Sequence, residues 1–291
     1  MNIRNFMRAS MGITIASLSA SAALGSPPLE LTGWTLFDPG MDWVYSNPTP
    51  TSGRIDEAVA SSNVNAAWVV SDFSNGPTAT ITFTLQVAAG SGDDDLIGFV
   101  FAYENSDNFY LLDWKKATQT FNWGDPVLIN DDTAEQGLKI KRIAGGWTLD
   151  GLWGGQDGIG VATIAGPTGG QWLAGTAYDF ELALSPGHIV VTRNGSPLFD
   201  VLDAGFAGAT GGIGFYGFSQ DNIILSNVCV MPAPGGCPAD INGDGTVDGG
   251  DLGLLLAAFG GGSVAADVNQ DGTVDGSDLG IVLAAWGTDG C

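Results

Sequence analysis

One acidic twelve-residue unit occurs twice near the C-terminus. Its copies run Asp-Ile-Asn-Gly-Asp-Gly-Thr-Val-Asp-Gly-Gly-Asp from Asp240 to Asp251 and Asp-Val-Asn-Gln-Asp-Gly-Thr-Val-Asp-Gly-Ser-Asp from Asp267 to Asp278. Carboxylates and amides at positions 1, 3, 5, 9 and 12, with glycine at position 6, form a loop of oxygen ligands. Hard cations prefer such ligands, so the spacing predicts two calcium sites.

The predicted ligands occupy equivalent positions in the two loops, and Thr at position 7 contributes its backbone carbonyl. They are Asp240, Asn242, Asp244, Thr246, Asp248 and Asp251 in the first loop, and Asp267, Asn269, Asp271, Thr273, Asp275 and Asp278 in the second. The alternative is a pair of acidic turns without an ion. Nine aspartates lie between Cys237 and Cys291 and no Lys or Arg follows Arg193, so like-charge repulsion argues against that alternative.

A run of three carboxylates, Asp93, Asp94 and Asp95, precedes the apolar segment from Leu96 to Tyr103. It is interpreted either as a second type of calcium site at a loop rim or as a solvated turn before a strand. The residues alone leave both interpretations open.

Catalytic chemistry has few candidates. His188 is the only histidine, which excludes a histidine-rich zinc site and leaves little for a Ser-His-Asp triad. A glycosidase needs two placed carboxyl groups, and the least implausible pair is Glu104 with Asp113. The sequence therefore favours a protein that is not an enzyme.

Four tryptophans lie in glycine-rich surroundings. They stack on sugar rings in one interpretation and cap a sheet edge in the other, and the second is preferred. They are Trp123, Trp147, Trp153 and Trp172.

The charge balance limits the choice of partner. The formal net charge is -23, with 9 Lys+Arg against 32 Asp+Glu. Nucleic acid is excluded as a partner because phosphate binding needs clustered basic residues. The chain is nevertheless 44% hydrophobic, which is enough to build a core.

The first 25 residues have the pattern of a secretory signal peptide. Arg4 and Arg8 precede an apolar, small-residue stretch that ends at Gly25, and no later segment is apolar enough to span a membrane. We expect a secreted, extracellular protein, with cell-surface association as one form of it. Three cysteines, Cys229, Cys237 and Cys291, fit an oxidising compartment.

A bridge between Cys237 and Cys291 would join the two ends of the acidic repeat and leave Cys229 over. The sequence itself does not decide which of the three cysteines is free.

The middle of the chain has the pattern of short strands. Residues 81–87 alternate apolar and polar, residues 96–103 and 109–114 predict a hairpin, and Asn194-Gly195 predicts a tight hairpin turn. Residues 213–218 and 222–228 are predicted to form a last pair. We expect a β-sandwich, with residues 145–160 as a loop that folds over one face.

Domain boundaries follow from composition. After the signal peptide (1–25), the sandwich takes residues 26–231, a Pro/Gly linker takes 232–236, and the acidic domain takes 237–291.

The acidic repeat, its 27-residue offset and the Asp-Leu after each loop resemble type I dockerin domains. The resemblance implies two calcium loop–helix units related by near two-fold symmetry and a cohesin-type partner. Loop positions 10 and 11 depart from the family's hydroxylated or bulky residues, being Gly249 and Gly250, then Gly276 and Ser277. The departure concerns partner binding and not calcium.

The larger domain resembles the thrombospondin C-terminal domain. The resemblance is carried by Asp93-Asp-Asp-Leu-Ile-Gly-Phe-Val-Phe-Ala-Tyr-Glu-Asn-Ser-Asp-Asn-Phe-Tyr-Leu-Leu-Asp-Trp and by Gly211-Gly-Ile-Gly-Phe-Tyr-Gly-Phe-Ser-Gln-Asp-Asn. It implies a mainly β, concanavalin- or L-type-lectin-like jelly-roll sandwich that binds calcium and acts in cell or matrix adhesion.

These observations predict a secreted, non-enzymatic, calcium-binding protein that binds a glycan or matrix surface and attaches to a partner through its tail. The alternative is a polysaccharide-degrading enzyme, or its carbohydrate-binding accessory, placed in a complex by the dockerin. A third interpretation makes the tail a calcium-stabilised end module with no cohesin partner.

Overall fold

The computed structural model describes residues 28–57, 65–71, 75–123, 133–155, 160–232, 237–242, 246–263, 265–269 and 271–287. The predicted signal peptide, Asp244, Cys291 and residues 233–236 of the predicted linker lie outside these ranges. Within them, no helix has both the length and the apolar character needed to cross a membrane.

The described residues form sixteen strands and three helices. The strands are β1 (Thr35–Phe37), β2 (Trp43–Thr49), β3 (Ser52–Glu57), β4 (Ala66–Val70), β5 (Ala79–Val87), β6 (Leu96–Asn105), β7 (Asn108–Lys115), β8 (Gln119–Thr120), β9 (Thr133–Ala134), β10 (Gly137–Ala144), β11 (Val161–Thr168), β12 (Ala177–Ser185), β13 (His188–Arg193), β14 (Ser196–Leu202), β15 (Gly212–Phe218) and β16 (Ile223–Pro232). The helices are α1 (Leu149–Gly154), α2 (Gly249–Ala257) and α3 (Gly276–Ala284).

Two seven-stranded antiparallel sheets make up the larger domain. Sheet A has the order β1-β4-β15-β6-β7-β10-β11, and sheet B has the order β14-β13-β12-β5-β16-β3-β2. The predicted hairpins β6–β7 and β13–β14 both form. The mainly β sandwich is therefore confirmed, with the small helical domain after it.

The main core lies between the sheets because alternate residues of each strand face inward. Strand β5 follows this rule along its whole length, buried and half-buried by turns. Phe83 of β5 stacks on Phe99 of β6 across the interface, with ring centroids 3.8 Å apart, and on Phe180 at 5.2 Å. Burying one such ring stabilises the fold by about 1.5–3 kcal/mol.

Sheet A also has a buried outer face. A second apolar cluster there includes Trp68, Leu111, Trp153 and Tyr216. Residues 145–160 were predicted to be a loop over one face, and the described part instead contains helix α1. Thr148 accepts from the Gly151 N–H at its N-terminus. Six residues are too few for a helical period to show in the sequence.

Both strands of the predicted last pair form, but the prediction that they pair with each other was wrong. Strand β15 lies between β4 and β6 in sheet A, whereas β16 lies between β5 and β3 in sheet B. The chain changes sheets after Phe218, where Ser219 and Asn222 have positive φ angles of 49° and 62°. Apolar alternation shows which face of a strand is buried, but not which sheet the strand joins.

Candidate calcium sites

The helices of the tail begin at the predicted ligands. Asp248, at position 9 of the first loop, is the N-cap of α2, and Asp275 is the N-cap of α3. In both helices the carboxylate of the position-12 aspartate accepts a hydrogen bond from the N-cap backbone N–H, which completes a capping box. Each loop is therefore tied to its helix by two of its own carboxylates.

Position 12 makes the same contacts in both loops. Asp251 accepts from the N–H of Asn242 at 2.9 Å and from that of Asp248 at 2.8 Å. Asp278 accepts from the N–H of Asn269 at 3.0 Å and from that of Asp275 at 2.8 Å. Both aspartates are fully buried. The two copies of the sequence repeat therefore make equivalent hydrogen bonds.

In the second loop the side chains of positions 1, 3 and 5 lie close to one another. The two carboxylate oxygens of Asp267 accept from the N–H groups of Asp271 (3.0 Å) and Gly272 (2.7 Å). The Asn269 amide donates to Asp271 at 2.9 Å. Gly272, the glycine at position 6, has a φ of 93°, a backbone conformation that lets the loop turn sharply.

The protonation of Asp278 suits a cation ligand. Burial works to raise the pKa of its carboxyl, but hydrogen bonds from the backbone of Asp275, Asn269 and Val268 outweigh burial and lower the pKa. The carboxylate form is therefore favoured before any ion binds.

The two loops also contact each other. The Val274 carbonyl accepts from the Gly260 N–H and the Val247 carbonyl from the Gly287 N–H, both at 2.8 Å. The two contacts are offset by 27 residues, as the repeat is. Buried apolar residues of both units share one small core, among them Val247, Leu255, Val274 and Val282. The implied two-fold relation of the units is present in these contacts.

The donor set fits a hard divalent cation. All predicted ligand atoms are oxygens, the tail contains no Lys or Arg, and position 12 in each loop is a buried carboxylate. Asp244 lies outside the described residues. The individual ligand assignments remain predictions.

The Asp93–Asp95 run does come together. One carboxylate oxygen from each of the three lies within 4.8 Å of the others. Beside them lies the ammonium group of Lys115 on β7, which no local sequence pattern predicts. Its Nζ lies 2.6 Å from an Asp95 carboxylate oxygen and 3.4 Å from one of Asp94, and it donates to the Asp94 carbonyl at 2.8 Å.

Lys115 competes with any metal ion for Asp95. Its side chain is 1% exposed and its Nζ lies 4.6 Å from the centroid of the Trp153 ring. Burial raises the pKa of Asp95 to about 6, although the Lys115 ammonium lowers it in part. A calcium site at this run remains a prediction. Asp93 and Asp94 are the candidate ligands that Lys115 holds less closely than Asp95.

Three of the four tryptophans belong to the cluster that covers the outer face of sheet A, in line with the preferred interpretation that they cap a sheet. Trp153 is buried there at 2% exposure. Trp147 donates to the Ser106 carbonyl at 3.0 Å and contacts Trp68 edge-on. Trp123 packs against Trp153, and both Trp123 and Trp147 are half-buried. Trp172, at 1% exposure, belongs instead to the core between the sheets.

Glu104 and Asp113 do not form a pair. Asp113 lies opposite Gly98 on β6, six residues before Glu104, which separates the carboxyls by roughly 20 Å. Asp113 is buried, and its carboxylate lies 2.5 Å from the Lys141 ammonium. Burial raises the pKa of Asp113, and the nearby ammonium groups lower it in part.

The buried lysines of β10 were missed by sequence reasoning. Lys141 donates to the Leu152 carbonyl and Lys139 to the Gly154 carbonyl at 3.3 Å, so both lysines cap the C-terminal end of α1. One feature of the sequence could have pointed to them: three of the nine basic residues lie within residues 139–142.

Only one of the two cysteines of the predicted bridge lies among the described residues. Cys237 is disulfide-bonded, and Cys229 carries a free thiol on β16. Cys291 lies outside the described residues, so its pairing with Cys237 remains a prediction.

Comparison with known proteins agrees with the two-domain arrangement. The model of the thrombospondin C-terminal region matches residues 77–233, and that of the dockerin type I domain matches residues 238–285. Thrombospondin-3a of Danio rerio is 33% identical over 150 residues, covering 47% of this chain and 15% of the relative. Cartilage oligomeric matrix protein of Rattus norvegicus is 31% identical over 168 residues, covering 53% and 21%.

These matches span about a fifth or less of each relative's length. Among solved structures, a carbohydrate-binding module, CBM66 of Bacillus subtilis, aligns with a TM-score of 0.46 and 14% identity over 69% of this chain and 96% of that one. The exoplasmic/lumenal domain of VIP36 aligns with a TM-score of 0.47 and 10% identity, covering 72% and 87%. The family matches show that this chain belongs to the thrombospondin C-terminal region family and that a dockerin type I domain follows that region.

Proposed function

We propose that this is a secreted, non-enzymatic adhesion protein whose tail requires calcium. The sandwich binds a glycan or matrix surface, and the tail attaches the protein to a partner of the cohesin type. The observation that carries the proposal is that Asp251 and Asp278 make the same hydrogen bonds in the two loops. Because these bonds join each loop to its helix, the fold of the tail is built on two cation-binding loops.

The predicted ligands of the two loops would hold calcium, which would supply the positive charge that the tail's own residues lack. This chain's part is to fix the loops. Asp248 and Asp275 cap the helices, and the buried Asp251 and Asp278 join each helix to the start of its loop. The orientation of α2 and α3 thus depends on the same carboxylates that bind the ion.

Attachment to a partner is supported by apolar side chains that α2, α3 and the turns after them leave exposed. They occur in equivalent pairs: Leu254 with Ile281 (46% and 37% exposed), Leu256 with Leu283 (54% and 53%), and Phe259 with Trp286 (50% and 46%). Exposed apolar side chains mark protein–protein interaction sites where they gather into a patch, and both units offer them at equivalent positions. Gly249, Gly250, Gly276 and Ser277 add little side chain, so these apolar pairs would carry most of the contact.

Binding by the sandwich is supported by the difference between its two outer faces. The outer face of sheet A is buried beneath α1 and its flanking loops. On the outer face of sheet B, the outward residues of β5 are half-exposed Thr and Gln. Enzymatic function is disfavoured because Glu104 and Asp113 lie far apart.

The test uses the chain without residues 1–25, with calcium and with a chelator, on a glycan array, on purified cohesins and in a reducing-sugar release assay. We expect glycan binding without hydrolysis, and cohesin-type binding that the chelator abolishes. Hydrolysis that is lost in Glu104→Gln would overturn the proposal in favour of the enzyme. Absence of both kinds of binding would overturn it altogether.

A further inference from the structure

A shallow groove of about 360 Å³ lies on the outer face of sheet B. Phe83 and Phe180 also border it, but their rings are 2% exposed and face the core between the sheets. Its polar lining comes from β5, β12, β13 and β16. The lining side chains that matter here are Thr82, Thr84, Asp179, Glu181, Thr192 and Asn227.

Glu181 occupies the centre of this groove. On β12 it lies directly opposite Thr82 of β5 on one side and Thr192 of β13 on the other. Directly opposed side chains on one sheet face are about 4.5–5.5 Å apart, so the carboxylate stands between two hydroxyl groups. A ligand on Glu181 would therefore be within reach of both threonines.

Asp179 adds a second carboxylate two residues along the same strand. It accepts a hydrogen bond from the Thr84 hydroxyl at 2.8 Å, and the Asn227 amide donates to the same hydroxyl at 3.3 Å. Glu181, in contrast, makes no hydrogen bond or ion pair with any residue that the structure describes. The Asp179 carboxylate is thus held by a hydrogen bond, whereas the Glu181 carboxylate is available to bind a ligand.

No basic side chain lines the groove among the described residues. Arg193, next to Thr192 in sequence, lies over the ring of Trp114 at 4.8 Å and donates to the Gly169 carbonyl at 2.8 Å, away from the groove. The groove is therefore negative, on a chain whose net charge is already -23. Anionic glycans are repelled from such a face.

The groove also offers no exposed aromatic ring, since the rings of Phe83 and Phe180 face the core on the other side of the sheet. A neutral sugar would have to bind through ordinary hydrogen bonds, which replace equally good hydrogen bonds to water. A charged donor binds a carboxylate through bonds roughly twice as strong. Charge complementarity thus selects a positively charged, hydroxyl-rich ligand.

We propose that this groove binds a polysaccharide carrying free amino groups. A sugar ammonium pairs with Glu181, and neighbouring ring hydroxyls bond to Thr82 and Thr192. This inference rests on the proposed glycan-binding function of the sandwich and names the ligand class and the site.

The experiment measures affinity by calorimetry for glucosamine oligomers, for the same oligomers fully N-acetylated, and for oligolysine of equal charge, at mildly acidic pH. The chain is tested as wild type, as Glu181→Gln and as Glu104→Gln. The last variant makes the same charge change at an exposed position of sheet A. Thermal unfolding checks that both variants fold.

We expect the glucosamine oligomer to bind about threefold more tightly than its N-acetylated form, and Glu181→Gln to weaken it by about threefold, because an exposed ion pair contributes little free energy. Glu104→Gln leaves the affinity unchanged. Equal binding of both oligomers, insensitive to Glu181→Gln, would overturn the inference and leave glycan binding by the sandwich intact.

Two further outcomes would contradict the inference in different ways. Oligolysine bound as tightly as the oligosaccharide, with the same loss in Glu181→Gln, would make the groove a site for basic peptides. If no glycan binds, on this panel or on the array, both the proposed function of the sandwich and the inference are contradicted.

Discussion

The carboxylate of Asp278 accepts a hydrogen bond from the backbone N–H of Asn269 at 3.0 Å, so position 12 of the second loop is bonded back to position 3. Asp251 and Asn242 make the same contact at 2.9 Å in the first loop. Because these bonds join the helix start to the loop start, each position-12 aspartate serves the fold of the loop as well as its charge.

Replacing position 12 tests this double role. Asp278→Asn should remove one calcium ion from the stoichiometry and destabilise the tail by about 1–3 kcal/mol, because a buried charged acceptor of two backbone N–H groups is lost. Asp251→Asn should do the same for the first loop. Calorimetric calcium titration with thermal unfolding measures both effects.

The control is Asp200→Asn, which makes the same change at a residue whose side chain is 80% exposed on the sandwich. Its calcium stoichiometry should match the wild type. Retention of full stoichiometry in both position-12 variants would exclude these aspartates as ligands.

The pH dependence of Asp95 tests the acidic run of the sandwich. Burial raises its folded-state pKa to about 6, from about 4 in the unfolded chain, so its contribution to stability is present below about pH 4 and is lost as the pH rises through 6. A side-chain NMR titration in chelator should show a midpoint near 6. A midpoint near 4 would mean that burial of Asp95 does not outweigh its ion pair with Lys115.

The same titration decides whether calcium binds at Asp93–Asp95. If calcium displaces the Lys115 ammonium and binds Asp95, saturating calcium should lower the midpoint, because a divalent cation favours the carboxylate form. An unchanged midpoint would restrict any ion there to Asp93 and Asp94, or exclude it.

The buried ion pair beneath α1 should be costly to break from one side. Lys141→Met leaves the buried Asp113 carboxylate without its partner 2.5 Å away, and we expect a loss of about 3–5 kcal/mol in the free energy of unfolding. The double variant Asp113→Leu with Lys141→Met should recover much of that loss, because replacing both charges leaves none unpaired. Denaturant unfolding measures both.

A loss under 1 kcal/mol in Lys141→Met would mean that Asp113 does not depend on the lysine. A double variant no better than the single would place the effect in the lost contact with the Leu152 carbonyl of α1 instead.

Local patterns predicted those features whose causes are local. The alternation of residues 81–87 gave the buried face of β5, and Asn194-Gly195 gave the hairpin of β13 and β14. The loop spacing of the tail predicted ligands that the structure brings together in the second loop. In these cases the residues that interact are near neighbours in sequence or lie across one turn.

Features that depend on distant pairings were not predictable in this way. Lys115 meets Asp95 because β6 and β7 pair in register, and no local pattern near either residue shows the contact. The separation of β15 and β16 into two sheets depends on which strands lie beside them. The buried lysines of β10 depend on α1 folding over their strand.

The most direct test of the central claim is hydrogen exchange of the whole chain, followed peptide by peptide, in calcium and in chelator. Calcium binding contributes directly to folding when the site exists only in the folded state. The account predicts that peptides from residues 237–287 lose their protection in chelator while those of β5 and β12 keep theirs. Unchanged protection of the tail in chelator would contradict it.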